Sequence, residues 1–396
     1  MKAFVVEQYG KDGLRGADVG EPEVAAGDVL VKVSAASVNP LDKMVRNGEF
    51  KQLLKYQTPF VLGHDLAGVV TRVGSAVGEF QVGDEVYARP RDLRIGTFAE
   101  YIAIDQDDVA PKPDSLTLHE AAALPLVSLA AWQVLVDRAQ VQPGQKVLIH
   151  AGSGGLGSTV IQLAKHLGAT VATTASGKNA ELVRSLGADV VVDYKEEDFA
   201  DVLSGYDVVL DSLGGENLEK SLTVLKPGGQ AISVTGPPDP GFAKQLGAPK
   251  SMGIVMGVLS RKVHKQARKL GVSYSFLFMQ ANGAQLRHLA TLYDAGPLRP
   301  VIDTTFPFDQ TLQALAYAGP RQRQGRHHAR LTNCQRCPPP VTVADGTQTP
   351  ANRDFQDHER SPHDSPHGLS RTLILATGER VTWAPGNALS LGNRVT

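Results

Sequence analysis

Residues 146–178, KVLIHAGSGGLGSTVIQLAKHLGATVATTASGK, constrain the fold of this chain more than any other stretch. Residues 147–151 are an apolar run that reads as a buried strand. A glycine turn follows at once: Gly152, Gly154 and Gly157 fit the spacing G-x-G-x-x-G, with Gly155 as an extra. Val160, Ile161, Leu163, Ala164 and Leu167 then fall on one helical stripe, and Gly168 stands where a left-handed residue would stop the helix. A second apolar strand begins at Val171. Strand, glycine turn, helix and strand make one βαβ unit with a phosphate loop in place.

A pyrophosphate must come within hydrogen-bond distance of backbone N–H groups at a helix N-terminus. A Cβ at Gly152 or Gly154 would obstruct the turn or the ligand, and Gly157 lets the helix approach the strand. The loop is therefore expected to hold a dinucleotide. An NAD site places Asp or Glu about 20 residues beyond the glycines, against the ribose 2′-OH. Here the second strand runs out through Thr173, Thr174, Ala175, Ser176, Gly177 and Lys178, with no carboxylate. A hydroxyl and an ammonium suit a 2′-phosphate, so Ser176 and Lys178 point to NADP(H). The alternative is that Ser176 merely caps a helix over 179–186 and Lys178 is solvated.

The rest of the chain bounds the setting. Its 396 residues have room for two or three domains. A net charge of -1 gives no electrostatic case for nucleic acid or an anionic membrane surface. No apolar run approaches the roughly 18–20 residues of a membrane span, and the opening MKAFVVEQYG reads as a first strand. Both cysteines, Cys334 and Cys337, lie late, so residues 1–333 hold no disulfide, thiolate zinc site or cysteine nucleophile. A cytoplasmic enzyme is expected.

Residues 1–120 read as β-rich, with short apolar runs at 3–6, 29–35, 67–73, 85–88 and 98–104 between turn signals. Residues 121–280 turn helical and then alternate, with candidate strands at 146–151, 170–175, 189–194, 206–212, 230–235 and 274–279. That alternation predicts an α/β doubly wound parallel sheet. Residues 281–318 read as a return to the first domain.

The chain resembles the medium-chain dehydrogenase/reductase superfamily, in its zinc-independent quinone oxidoreductase and alkenal reductase branch. The residues that carry the resemblance are Ala36-Ser-Val-Asn39-Pro-Leu-Asp42, Gly63-His-Asp-Leu-Ala-Gly68, Val82-Gly-Asp-Glu-Val86, Gly96-Thr-Phe-Ala-Glu-Tyr101, the glycine loop and Val191-Val-Asp-Tyr194. Gly271-Val-Ser-Tyr-Ser-Phe-Leu-Phe-Met279 and Asp294-Ala-Gly-Pro-Leu-Arg-Pro-Val-Ile302 are similar to the reticulon-interacting mitochondrial oxidoreductases in particular. The resemblance covers about residues 1–318. It implies a GroES-like β-rich catalytic domain, a Rossmann domain, NADPH between them and a homodimer. It also implies that Ser153, Gly154, Gly155 and Leu156 face the pyrophosphate and that Tyr194 lies near the adenosine phosphate. Ser212 and Leu213, after the fourth strand, should run beside the cofactor.

Zinc-dependent relatives carry cysteines where this chain has Asn39 and near Val127 and Ser128, and a histidine at His64. Only His64 remains, and zinc asks for three or four ligands. Without a Lewis acid the acceptor must take hydride unaided, as quinones and α,β-unsaturated carbonyls do. The expected roles are then Asn39 as donor to the developing oxyanion, Asp42 near the same cleft, and Tyr56 or Tyr87 as proton donor or ring wall. The alternatives are that Asn39 caps a helix and that the tyrosines are packing. Two competing functions stay open: a 2-enoyl thioester reductase, and a non-catalytic NADPH-binding interaction protein.

After Ala318 the composition breaks: residues 319–396 are rich in Arg, Pro, His, Thr and Gln and nearly free of periodicity. Similar sequences continue here with Gly-Arg-Ala-Lys-Gly-Lys and a last apolar strand. Codons for 319–332 can be chosen so that skipping one base restores that turn, that strand and a stop. Residues 319–396 are therefore expected to be a frame-shifted, disordered tail, leaving the catalytic domain without its closing strand. A Cys334 and Cys337 zinc knuckle and a native interaction tail are the rival readings.

Overall fold

A computed structural model describes residues 1–318 and 372–376, which belong to one compact unit. The glycine loop opens its central layer. Six parallel strands lie in the order Val190–Asp193, Thr170–Ala175, Lys146–Ile149, Tyr206–Asp211, Leu225–Ser233 and Ser273–Phe276. Helices cover both faces of such a sheet, so its strands read as continuous apolar runs; Val147, Leu148 and Ile149 are fully buried. The chain leaves Lys146–Ile149 in one direction for two strands and then returns to its other side. That reversal is a topological switch point, where crevices open at the carboxyl ends of the strands. The doubly wound sheet expected from the alternation is present, with its strands within a few residues of the expected positions.

The β-rich half is also present. Its larger sheet runs Ile302–Pro307, Thr372–Ala376, Asp28–Val38, Asp65–Val73, Glu85–Ala88 and Val109–Pro111, with Tyr101–Asp105 also paired to Asp28–Val38. A small sheet joins Leu14–Asp18, Lys2–Val6 and Phe60–Val61. Periodicity did not reveal Leu14–Asp18: it is a largely exposed edge strand with Gly16 at its centre, and edges need little apolar alternation.

The expectation of a missing closing strand is corrected. Thr372–Ala376 fills that place, parallel to Ile302–Pro307 and antiparallel to Asp28–Val38, with Leu373 opposite Val38 and Leu375 opposite Ala36. Leu373, Ile374 and Leu375 are all fully buried. The physical reason is burial on both faces. Leu373 and Leu375 enter the core of the β-rich half, while Ile374 enters the core beneath the parallel sheet. Residues 373–376 are the longest unbroken apolar run after Ala318, and a strand buried on both sides needs such a run. The frame-shift reading of 319–371 and 377–396 falls outside the described residues.

Leu375→Ala should cost about 2–5 kcal/mol of stability, the usual range for truncating a fully buried leucine. Urea unfolding of the full chain checks this. An unchanged midpoint would mean that the sheet closes without this strand.

Candidate functional site

Two helix starts build the site from opposite sides. On the parallel-sheet side, Gly154 is the N-cap of helix Gly155–His166. The chain reaches it through Ala151, which is held at φ +60, a left-handed conformation unusual outside glycine. The glycine requirement is steric. A Cβ on Gly152 would sit 2.1 Å from Thr173 Oγ1, and one on Gly157 would sit 2.3 Å from the Ala151 carbonyl oxygen. The first N–H groups of this helix have no acceptor within it. Gly168, at φ +82, follows its end as the stripe predicted.

On the other side, Asn39 is the N-cap of helix Pro40–Asn47, which has proline in its first turn and ends at Gly48, φ +80. Asp42 accepts the Asn39 backbone N–H through Oδ2 at 2.6 Å, closing the cap. Its other oxygen, Oδ1, lies 2.6 Å from His64 Nδ1. Asn39 Nδ2 donates to Asp65 Oδ2 at 2.9 Å and to Ser37 Oγ at 3.1 Å. Asp65 also accepts from Ser37 Oγ at 2.8 Å and from the Leu126 backbone N–H at 3.0 Å. All of Ser37, Asn39, Asp42, His64 and Asp65 are buried.

Between the two helix starts lies a cavity of about 260 Å³. One wall is Asn39, Pro40, Leu41, Met44 and Phe50; the facing wall is Gly154, Gly155, Leu156 and Gly157 with Ser212, Val234 and Thr235. Leu277, Phe278 and Met279 follow the last parallel strand into the same space. The lining is overwhelmingly apolar, and Arg89 is its one charged residue among those described.

The side chains expected to react are held in different ways. Asn39 reaches the cavity, and its amide Nδ2 donates to Asp65 and Ser37. Asp42 is fully buried and serves the helix cap and His64, away from the cavity lining. Tyr56 stacks on Phe60, and its hydroxyl accepts the Leu93 N–H at 3.2 Å. Burial, seconded by the Asp92 charge, pushes its pKa well up, which makes it a weaker proton donor. It too is absent from the lining. Tyr87, likewise, is fully buried and donates to the Leu286 carbonyl at 2.6 Å, a clasp between the β-rich half and helix Gly283–Asp294.

On the glycine-loop side the expected residues take different places. Gly154, Gly155, Leu156, Gly157 and Ser212 line the cavity, whereas Gly152 supports the turn from behind. Ser153 and Ser176 are buried, and Asn179 Nδ2 donates to both hydroxyls, at 3.0 and 3.2 Å. Lys178 is exposed, and so is Tyr194, by 38%. Leu213 donates its N–H to Asp211 Oδ1 at 3.1 Å, in a turn that Asp211 organises by also accepting from Gly214 N–H and Ser233 Oγ.

The sequence reading missed four residues. Asn179 was read as an ordinary helix start. Asp193 ends the neighbouring strand Val190–Asp193 and accepts the Gly177 N–H at 2.6 Å, so a carboxylate does stand beside the second strand after all. Its other oxygen accepts Lys195 N–H at 3.0 Å. Asp65 lay in plain view beside His64. Arg89, a charge one residue beyond the apolar strand Glu85–Ala88, was itself a signal.

Comparison with known proteins supports the same fold. Residues 25–114 match the family described as alcohol dehydrogenase GroES-like domain, and residues 186–327 match the zinc-binding dehydrogenase family. The second match runs beyond the break read at Ala318. The NADPH-dependent alkenal/one oxidoreductase, chloroplastic, of Arabidopsis thaliana is 36% identical over 82% of this chain and 78% of its own. The mitochondrial NAD(P)H oxidoreductase RTN4IP1 of Mus musculus is 35% identical over 79% of this chain and 85% of its own. The quinone oxidoreductase structure from Coxiella burnetii superposes with a TM-score of 0.70 at 33% identity, covering 80% of this chain and 95% of that one. The second family's description implies zinc, and the described residues do not fit it. The described residues include no group of three or more His, Cys, Asp or Glu able to hold a metal, and His64 has Nδ1 on Asp42.

Burial pushes the Asp65 carboxyl up to about 7, against the pull of Ser37 and Asn39 and with the nearby Asp42 charge adding to the rise. The unfolded carboxyl titrates near 3.9. Between about pH 4 and 7 the folded state therefore holds a proton that the unfolded chain has released, and stability falls as pH rises across that window. Urea unfolding at several pH values should show this loss in the native protein and a flatter profile in Asp65→Asn. Parallel profiles would place the Asp65 titration elsewhere.

Proposed function

The chain belongs to the medium-chain dehydrogenase/reductase superfamily, and from that premise we propose that it is an NADPH-dependent reductase of quinones or α,β-unsaturated carbonyls. The observation that carries this reading is the cavity itself. It is apolar and lies where a glycine loop at a helix N-terminus faces the Asn39 helix. Such a space suits a flat conjugated acceptor laid on a nicotinamide. Bound NADPH would supply the hydride.

The chain's own residues would bind and orient. The free N–H groups at the start of helix Gly155–His166 would take the pyrophosphate. Ser176, Lys178 and Tyr194 would surround the adenosine phosphate, with Ser212 and Leu213 beside the nicotinamide half. The cavity's apolar walls would exclude water from the acceptor, which strengthens any charge interaction inside. We read the chemistry as running without metal, on Asn39 standing where zinc-dependent relatives carry a cysteine. We also read the protein as a cytoplasmic homodimer, on the late cysteines and the resemblance; no helix of the described residues is long and apolar enough to cross a membrane.

A panel of quinones, 2-alkenals, enones and enoyl thioesters tests the reading through NADPH oxidation. Turnover of the first three classes is expected. Preference for enoyl thioesters would move the assignment to that class, and NADPH binding without any turnover would favour a non-catalytic role.

Lys178→Ala checks the cofactor. A charge-assisted hydrogen bond to a 2′-phosphate is worth roughly 1.5–3 kcal/mol. NADPH should weaken about 10-fold to 100-fold, with NADH nearly unchanged, in fluorescence titrations. Equal losses for both would remove Lys178 from the phosphate site.

A further inference from the structure

We propose that Arg89 binds the acceptor's carbonyl oxygen and stabilises the negative charge that develops there. This rests on the reductase reading. It is the task the sequence assigned to Asn39, whose amide Nδ2 donates to Asp65 and Ser37.

Three observations converge on Arg89. It is the one charged residue among the described residues that line the cavity. Its side chain is only 1% exposed. Two of its nitrogens are anchored, Nη1 to the Pro90 carbonyl at 3.0 Å and Nη2 to Asp92 Oδ1 at 2.7 Å, while Nε has no hydrogen-bond partner. A buried N–H without an acceptor is costly, more so on a charged group. A guanidinium keeps its charge at any working pH, and its planar fork is fixed once two nitrogens are held. The N–H on the third nitrogen, Nε, is thus held in a fixed place for an oxygen that gains charge during reaction.

The chemistry balances on an enone. The β-carbon accepts hydride and forms a C–H bond. The alkene π pair shifts to the bond between the α-carbon and the carbonyl carbon, and the carbonyl π pair moves to oxygen. Arg89 Nε–H holds that enolate oxygen and keeps its own proton. A proton from water then bonds to the α-carbon, and the C=O bond re-forms. One hydride from the reduced nicotinamide and one solvent proton are consumed, so Arg89 is neither acid nor base.

A brace for the turn after Glu85–Ala88 would need only Nη1 and Nη2, and this separates the two roles experimentally. The probe is 4-nitrophenol, titrated into the full chain with NADP⁺ below the pH at which free 4-nitrophenol ionises. Native protein should bind it as the phenolate, visible in its absorption. Arg89→Met should weaken phenolate binding at least about tenfold, with NADPH affinity kept within about twofold. It should also lower kcat with an enone about 100-fold, as loss of one oxyanion donor does, with a smaller change in KM. Asp92→Asn removes one anchor and leaves Nε, so it should retain phenolate binding. Unchanged phenolate binding in Arg89→Met overturns the proposal. So does a loss in Asp92→Asn as large as in Arg89→Met, and that comparison decides the matter if Arg89→Met also loses NADPH. Native protein that reduces no acceptor, yet binds phenolate through Arg89, would sink the reductase reading and keep Arg89 as the oxygen-binding group.

Discussion

The close approach of helix Gly155–His166 to strand Lys146–Ile149 is the constraint on which the rest of the structure depends. Gly157 lies so near the Ala151 carbonyl that no Cβ fits between them, and Ala151 turns through φ +60 to permit it. The contact sets the helix N-terminus at the carboxyl end of the central strand. With that geometry set, the switch point, the cavity wall at 154–157 and the crossing to Tyr206–Asp211 all take their places.

The facing wall is held differently, by a buried polar network in place of close backbone packing. Asp42 joins the Asn39 cap to His64, and Asp65 gathers Ser37, Asn39 and the Leu126 N–H. Buried polar groups demand partners, and meeting that demand spends the side chains that look most catalytic in the sequence. Asn39 and Asp42 are both held in this network. Among the described residues His64 Nε2, Arg89 Nε and Thr97 Oγ1 keep no hydrogen-bond partner, and of the three only Arg89 lines the cavity.

The closing strand obeys the same rule of unmet demand. Between Ile302–Pro307 and Asp28–Val38 the sheet has a place that is apolar on both faces. Leu373, Ile374 and Leu375 meet it from far along the chain. Sequence separation costs little here, because loop-closure entropy grows only logarithmically with length.

Much that near neighbours govern was legible in the sequence, although the edge strand Leu14–Asp18 and the Asn179 bonds to Ser153 and Ser176 were not. The glycine turn, the helix stripe ending at Gly168, the alternation of the parallel sheet and the lack of a carboxylate at Ser176 all follow from local periodicity and turn chemistry. Tertiary structure alone decided what depends on distant partners. Asp193 reaches the Ser176 turn from the next strand, Arg89 is left with an unpaired N–H in an apolar cavity, and residues 372–376 close a sheet begun at residue 28. The physical reason is that burial and hydrogen-bond satisfaction are properties of a side chain's whole surroundings, and those are assembled from segments that the sequence keeps far apart.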